Sequence, residues 1–389
     1  MHRGSIRTAA FVVAWMSCPE VSVLPAQAPA QQREAVASRD VVAGYAETCR
    51  RLYAACAERA SGLDEAVRAF CETPTEERLV VAREAWVVAR VAYCRTECLR
   101  FYGGPIDDVE PLVNAWPIDE AYIDSVEGRE ACGIIHDVEQ FPRVHETVLT
   151  LVNERGGEAN VSVGWHAVEF LIWGQDRDAS GPGRRSAKDF VDGAAPFADR
   201  RRQYLRATTA LLAKQMRELE HSWTAGKGDW RERFESEPHA MRKALTGALV
   251  FTAFELGGER LAVAYETQDQ EQEHSCFSDT SCSDLVQGQA GLIAVLTGNL
   301  DGEPCAPGLL AAVPAKDAEL VALVRRRLEE TNAALRAIPH PFDQAILGSD
   351  DSAGRVALRL AIEALERQAE ALTFLGHSFG YELPVRPGN

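Results

Sequence analysis

The chain has 389 residues, with 41 basic and 58 acidic side chains and a formal charge of -17. That balance, without a basic tail, argues against a phosphate-backbone binder and so against a nucleic-acid partner. Hydrophobic residues at 46% and charged residues at 25% exclude a disordered chain, and a chain this long needs neither metal nor disulfides to build a core.

Arg3 and Arg7 precede a short apolar run at 9–16 (AAFVVAWM), and small residues including Ala26 and Ala28 follow. This order reads as an export signal over residues 1–30, its apolar run too short to span a bilayer. Cys18, after Met16 and Ser17, is a candidate lipid acceptor, which would leave an N-terminal anchor. The expected location is the periplasm, or the outer membrane or cell surface. No later stretch reads as a membrane span.

Residues 37–60 have helical periodicity, with Gly62 as the expected stop. Pro74, Thr75 and Glu77 open a long helix to about Arg100. Trp86, Arg90, Tyr93 and Glu97 line one of its faces. Gly103, Gly104 and Pro105 break it, and a polar irregular stretch follows. Helices are expected at 143–155, from after Asn160 to about Trp173, and from Ala187 or Pro196 to Trp223. The segment 224–239 reads as a connection. Helices at 240–269, 284–298, 317–336 and 353–376 then repeat the pattern, with no alternating strand signal. The expected fold is all-α, two packed helical bundles at 37–223 and 240–378, with a tail at 379–389.

Ten cysteines are present, and removing the leader leaves nine, so at least one is free or pairs between chains. Cys49 and Cys56 share a helix face, as do Cys94 and Cys98. In an oxidising compartment, disulfides between these segments are expected if the helices are adjacent; buried free thiols are the alternative.

The sharpest chemical feature is Gly164-Trp165-His166-Ala167-Val168-Glu169. His166 and Glu169 stand at i and i+3, so imidazole and carboxylate leave one face of a mostly apolar helix. Such a pair is costly unless hydrogen-bonded or metal-bound. Two ligands do not complete a metal's coordination, and a structural His–Glu hydrogen bond is the alternative. A second copy, His136 and Glu139, lies in a more polar segment. Further on, Glu255 and Glu259 are four apart, and Glu273, His274, Ser275 and Asp279 cluster where a helix gives way to loop. These are additional candidate metal ligands, or caps and surface pairs. Arg90 and Glu97 are candidates for a buried polar network, and Arg100 for the same network or for a surface pair. GPGR at 181–184 has no Walker lysine and no βαβ context, and Ser275 has no nucleophile elbow.

The segment GWHAVEFLIWGQD at 164–176 resembles the signature of the imelysin family, also described as the M75 peptidase family and including iron-regulated exported proteins. Matching blocks are AWVVARVAYCRTECLRFYGGPID at 85–107, NAWPIDE at 114–120, GPGRR at 181–185 and RRQYL at 201–205. ELGGERLAVAYETQDQEQEHSCFSD at 255–279 and PFDQAI at 341–346 complete the order. The resemblance implies two helical bundles with the GxHxxE helix facing a cleft near their junction. It carries over Gly164, His166 and Glu169, together with Glu255, Gly258, Glu259, Arg260 and residues 274–279. The family often continues SCFSD with Asn-Thr-His; Thr280, Ser281 and Cys282 stand here, so an imidazole is lost and Cys282 becomes a candidate partner for Cys276.

Two functions follow from the resemblance. One is capture of a divalent or ferric ion, iron or zinc, or of an iron-containing ligand, with iron-uptake components as partners. The other is a metal-dependent peptidase, with Glu259 or Glu273 as candidate base. A non-catalytic scaffold or haem- or protein-binding module is the third reading.

Overall fold

The computed structural model describes residues 31–177 and 181–387; the expected leader and Cys18 lie outside them. Eight helices carry the architecture: α1 (Gln31–Glu72), α2 (Glu76–Cys94), α3 (Trp165–Trp173), α4 (Ala198–Ser222), α5 (Ala240–Val250), α6 (Ser281–Thr297), α7 (Ala318–Arg336) and α8 (Ala353–Ser378). α1 packs on α2 and α4, and α3 lies between α2 and α4. α7 packs on α6 and α8, while the continuation of α5 packs on α8. The contact of α2 with α6 joins the two groups. The fold is all-α, as expected; the strand content comprises a short antiparallel pair, Asn299–Leu300 with Glu303–Pro304.

α1 continues ten residues past the stop expected at Gly62. Leu63, Val67 and Phe70 keep the apolar period and are fully buried, and that burial outweighs the roughly 1 kcal/mol that an interior glycine costs. α2 opens where expected, with the Thr75 hydroxyl accepting the Arg78 N–H at 3.3 Å. It ends at Cys94, and Glu97 sits in a single 3-10 turn. The stretch read as a connection contains a helix, Asp229–Ser236, whose Phe234 is buried against Tyr45 and Trp223.

α5 does not stop at Val250. It widens into a π-helix, Phe251–Ala262, and returns to α-helix at Val263–Thr267. In an α-helix, positions i and i+5 stand about 140° apart; in the wider turn they come into register. Glu255 and Arg260 are so related, and the Arg260 guanidinium reaches Glu255 Oε1 at 2.8 Å.

The expected disulfides do not form. Among the described residues all nine cysteines are free thiols. The Cys98 thiol donates to the Arg95 carbonyl and Cys282 to that of Pro339, each at 3.8 Å. Burial pushes the Cys71 and Cys282 thiols up to about 12 and holds Cys49, Cys56, Cys94 and Cys276 protonated as well. These cysteines behave as small apolar core residues.

Candidate functional site

α3 is buried at all nine positions, which places both polar members of its motif inside the protein. Entry to the helix depends on Gly164. Its φ is 95°, and a Cβ there would stand 2.5 Å from the Val113 carbonyl oxygen. His166 and Glu169 meet as their spacing requires, with Nδ1 2.9 Å from Oε2. The other carboxylate oxygen, Oε1, accepts the Ser278 N–H at 3.0 Å and the Ser278 hydroxyl at 2.7 Å. A residue of the SCFSD block therefore closes on the motif helix from the second half of the chain. His166 Nε2 is buried and has no hydrogen-bond partner. The imidazole stands edge-on to that of His274, centroids 4.6 Å apart, and against the Trp116 ring at 4.8 Å.

Burial pushes the His166 pKa well below its ordinary value, and the charges of Arg90, His274 and Arg260 act in the same direction. Burial raises Glu169 to about 8, against the opposing pull of Ser278 and Arg90. Both shifts disfavour an isolated charge on either group.

Beside this pair runs a buried charged network. Arg90 donates to Asp284 Oδ2 from Nε at 3.0 Å and Nη2 at 2.8 Å, and Nη2 lies 2.9 Å from His274 Nδ1. Since a guanidinium only donates, Nδ1 accepts and the His274 ring proton is assigned to Nε2. The Ser275 hydroxyl also donates to Asp284, at 2.7 Å. Arg90 continues through Asn114 to Glu97, and Arg260 binds both Glu97 oxygens and Glu255. Arg100 pairs with Glu110 at 2.9 Å and meets Glu255 at 3.5 Å. The face Trp86-Arg90-Tyr93-Glu97 is thus the first-half wall of the site.

Burial alone would raise Glu255, but Arg100 and Arg260 overcome it and hold it at about 2. Asp284, held by Arg90, and Asp124, held by Arg185, His136 and Arg201, also lie below the ordinary aspartate range despite burial. Folded-state values below the unfolded ones mean that the unfolded chain binds more protons as acid is added. The stability these groups contribute is fully present above about pH 4.5 and is lost as pH falls towards about 2. At roughly 1.4 kcal/mol per unit, Glu255 alone contributes about 3 kcal/mol to that loss. Urea midpoints at pH 5 and pH 3 should therefore differ sharply; equal midpoints would contradict the network's charged state.

Next to Ser278 lies a second cluster. Asp176, Asp279 and Asp343 each place a carboxylate oxygen within 4.8 Å of the others, an arrangement able to coordinate a cation. Three segments converge there. The loop after α3 is tied to the SCFSD loop by the Gly183 N–H, which donates to the Phe277 carbonyl at 2.9 Å. Gln270 Nε2 donates to Asp176. Asp279 takes a left-handed φ of 55°, which aspartate tolerates better than most residues. Asp343 is in the short helix Phe342–Ile346.

The site thus brings together His166, Glu169, His274, Ser275 and Ser278, with Glu273 and Asp279 alongside. Glu255 belongs to the charged network. Glu259 is exposed and outside it. The second copy does not pair: His136 meets Ser125 Oγ at 2.5 Å and Asp124 at 3.2 Å, while Glu139 is exposed. Arg185 of GPGRR and Arg201 of RRQYL clamp Asp124 at 2.6 and 2.7 Å. Spacing along the sequence does not single out Asp176, Asp343, Asp284 or Asn114, although Asp176, Asn114 and Asp343 stand inside the family-like blocks.

No described helix is long and apolar enough to cross a membrane. The iron-regulated protein A of Synechococcus elongatus is 22% identical over 358 residues, 87% of each chain. Two solved structures share the fold. A putative iron-regulated protein A precursor from Parabacteroides distasonis superposes with a TM-score of 0.67 at 18% identity, covering 88% of this chain and 95% of that one. An imelysin-like protein from Psychrobacter arcticum gives 0.64 at 12% identity, covering 94% and 100%. The profile of the imelysin family, Peptidase M75, matches residues 50–372, and with the buried His166–Glu169 motif and the all-α fold in hand, the chain belongs to that family.

Proposed function

We propose that the chain is an exported binding protein that captures a borderline metal ion, ferrous iron or zinc, at the junction where α3 meets the SCFSD loop. The observation that carries this reading is the asymmetry of His166. Nδ1 is held by a carboxylate, while Nε2 is buried without a partner. Metal-binding histidines use this arrangement, in which the carboxylate fixes ring and tautomer and the opposite nitrogen faces the ion. Glu169 then orients His166 rather than binding the ion, because both its oxygens are already engaged. Loading the ion displaces a proton from Nε2 or from the shared Nδ1–Oε2 contact, so affinity falls with falling pH.

The iron-regulated name of the cyanobacterial relative supports iron as the physiological cargo. Iron-uptake components of the periplasm or cell surface are then the partners. Calorimetry on the chelator-stripped protein should find one zinc or, without oxygen, one ferrous ion per chain. His166→Ala should abolish that binding, and Glu169→Gln should weaken it about 10- to 100-fold with helical circular dichroism retained. Unchanged affinity in a folded His166→Ala protein would overturn the reading.

A further inference from the structure

We propose that Asp176, Asp279 and Asp343, with Glu273 beside them, form a second cation site of different chemistry, one that takes a hard ion of the calcium class and fastens three distant segments together. The Asp oxygens lie within 4.8 Å of one another. Oxygens placed about 2.3–2.6 Å from a calcium ion span up to roughly that separation, and calcium accepts flexible, all-oxygen ligand sets more readily than magnesium, which demands near-ideal octahedral geometry. The donor set contains no nitrogen or sulfur, which favours a hard ion over zinc. Cys282 is nearby, but its thiol donates to the Pro339 carbonyl.

An acidic cluster alone would be ordinary, and Glu273 supplies the independent observation. Its side chain is fully buried and neither carboxylate oxygen has a hydrogen-bond partner. The Ser281 hydroxyl is close enough to favour its charge, yet that hydroxyl accepts the Ser275 N–H at 2.9 Å and makes no bond of normal geometry to Glu273. Glu273 feels the charges of Asp279 and Asp343. A buried carboxylate facing further carboxylates is unfavourable unless a proton or a cation offsets them; burial holds the Glu273 pKa well above the ordinary carboxylate range, so a cation there would take the place of a proton. The residues come from the loop after α3, from the segment before α6 and from the first turn of the helix Phe342–Ile346, so an ion here would staple the first half of the chain to two segments of the second.

The site is independent of the His166 reading, and its test is built to keep the two apart. Thermal unfolding of the chelator-stripped full chain is followed with added calcium chloride, and calcium binding is measured by calorimetry. The wild-type protein should bind one calcium per chain, with a midpoint that rises with calcium. Asp343→Asn should weaken calcium binding at least tenfold. Glu273→Gln should also weaken it, while leaving the midpoint of the calcium-free protein little changed, because the amide replaces a buried acid that burial already keeps neutral. His166→Ala should leave the calcium response intact. A wild-type midpoint indifferent to calcium would overturn the proposal. So would a calcium response that survives in Glu273→Gln, or one lost in His166→Ala.

Discussion

Replacing Arg260 with alanine is expected to destabilise the protein by about 3–5 kcal/mol, the usual cost of leaving a buried charge without its partner. Arg260 binds both oxygens of Glu97, whose side chain is wholly inaccessible, and one oxygen of Glu255. Asn114 would remain on Glu97 at 3.2 Å and Arg100 on Glu255 at 3.5 Å, neither of which replaces a two-pronged guanidinium. Arg260→Lys keeps the charge but loses the fork, so it should fall between. Adding Glu97→Gln to Arg260→Met should recover part of the loss, since the stranded charge is then gone. Urea unfolding of the four variants checks this; a loss below about 1 kcal/mol in Arg260→Ala would show that the pair is not buried as described.

Gly164→Ala should be nearly as damaging and should also weaken metal capture. The backbone at this position, φ 95° and ψ -173°, is a region almost reserved for glycine. The added methyl would also meet the Val113 carbonyl at 2.5 Å. Strain and overlap together should cost about 3 kcal/mol or more, and relief by moving the start of α3 would shift His166 two residues later. Gly62→Ala is the control. Gly62 lies in the interior of α1, and an alanine methyl there would meet nothing within 4 Å, so the substitution should be neutral or stabilising by up to about 1 kcal/mol. Equal effects from the two substitutions would remove the special role of Gly164.

The helices were legible because burial follows period. Trp86, Arg90, Tyr93 and Glu97 share a face in the sequence pattern and are all buried in the structure. The His166–Glu169 contact was legible for the same reason, since i and i+3 on a helix are neighbours whatever surrounds them. Three things were not. The π-helix has no residue-type signature; the Glu255–Arg260 pairing reveals it only once the wider turn is seen. Gly62 read as a stop because a glycine's local preference is visible in sequence and the burial that overrides it is not. Asp176 and Asp343 are 167 positions apart, and only the packing of two loops and a short helix brings them to Asp279. Cysteine spacing likewise carried the facing of Cys49 and Cys94 segments but not the apolar surroundings that keep the thiols separate.

The most direct measurement is anomalous diffraction from crystals of the full chain grown with zinc, collected on both sides of the zinc edge. Capture at the junction predicts a peak about 2.0–2.1 Å from His166 Nε2, with Nδ1 still on Glu169. A peak confined to the Asp176, Asp279 and Asp343 carboxylates, or no peak beside Nε2, would contradict it.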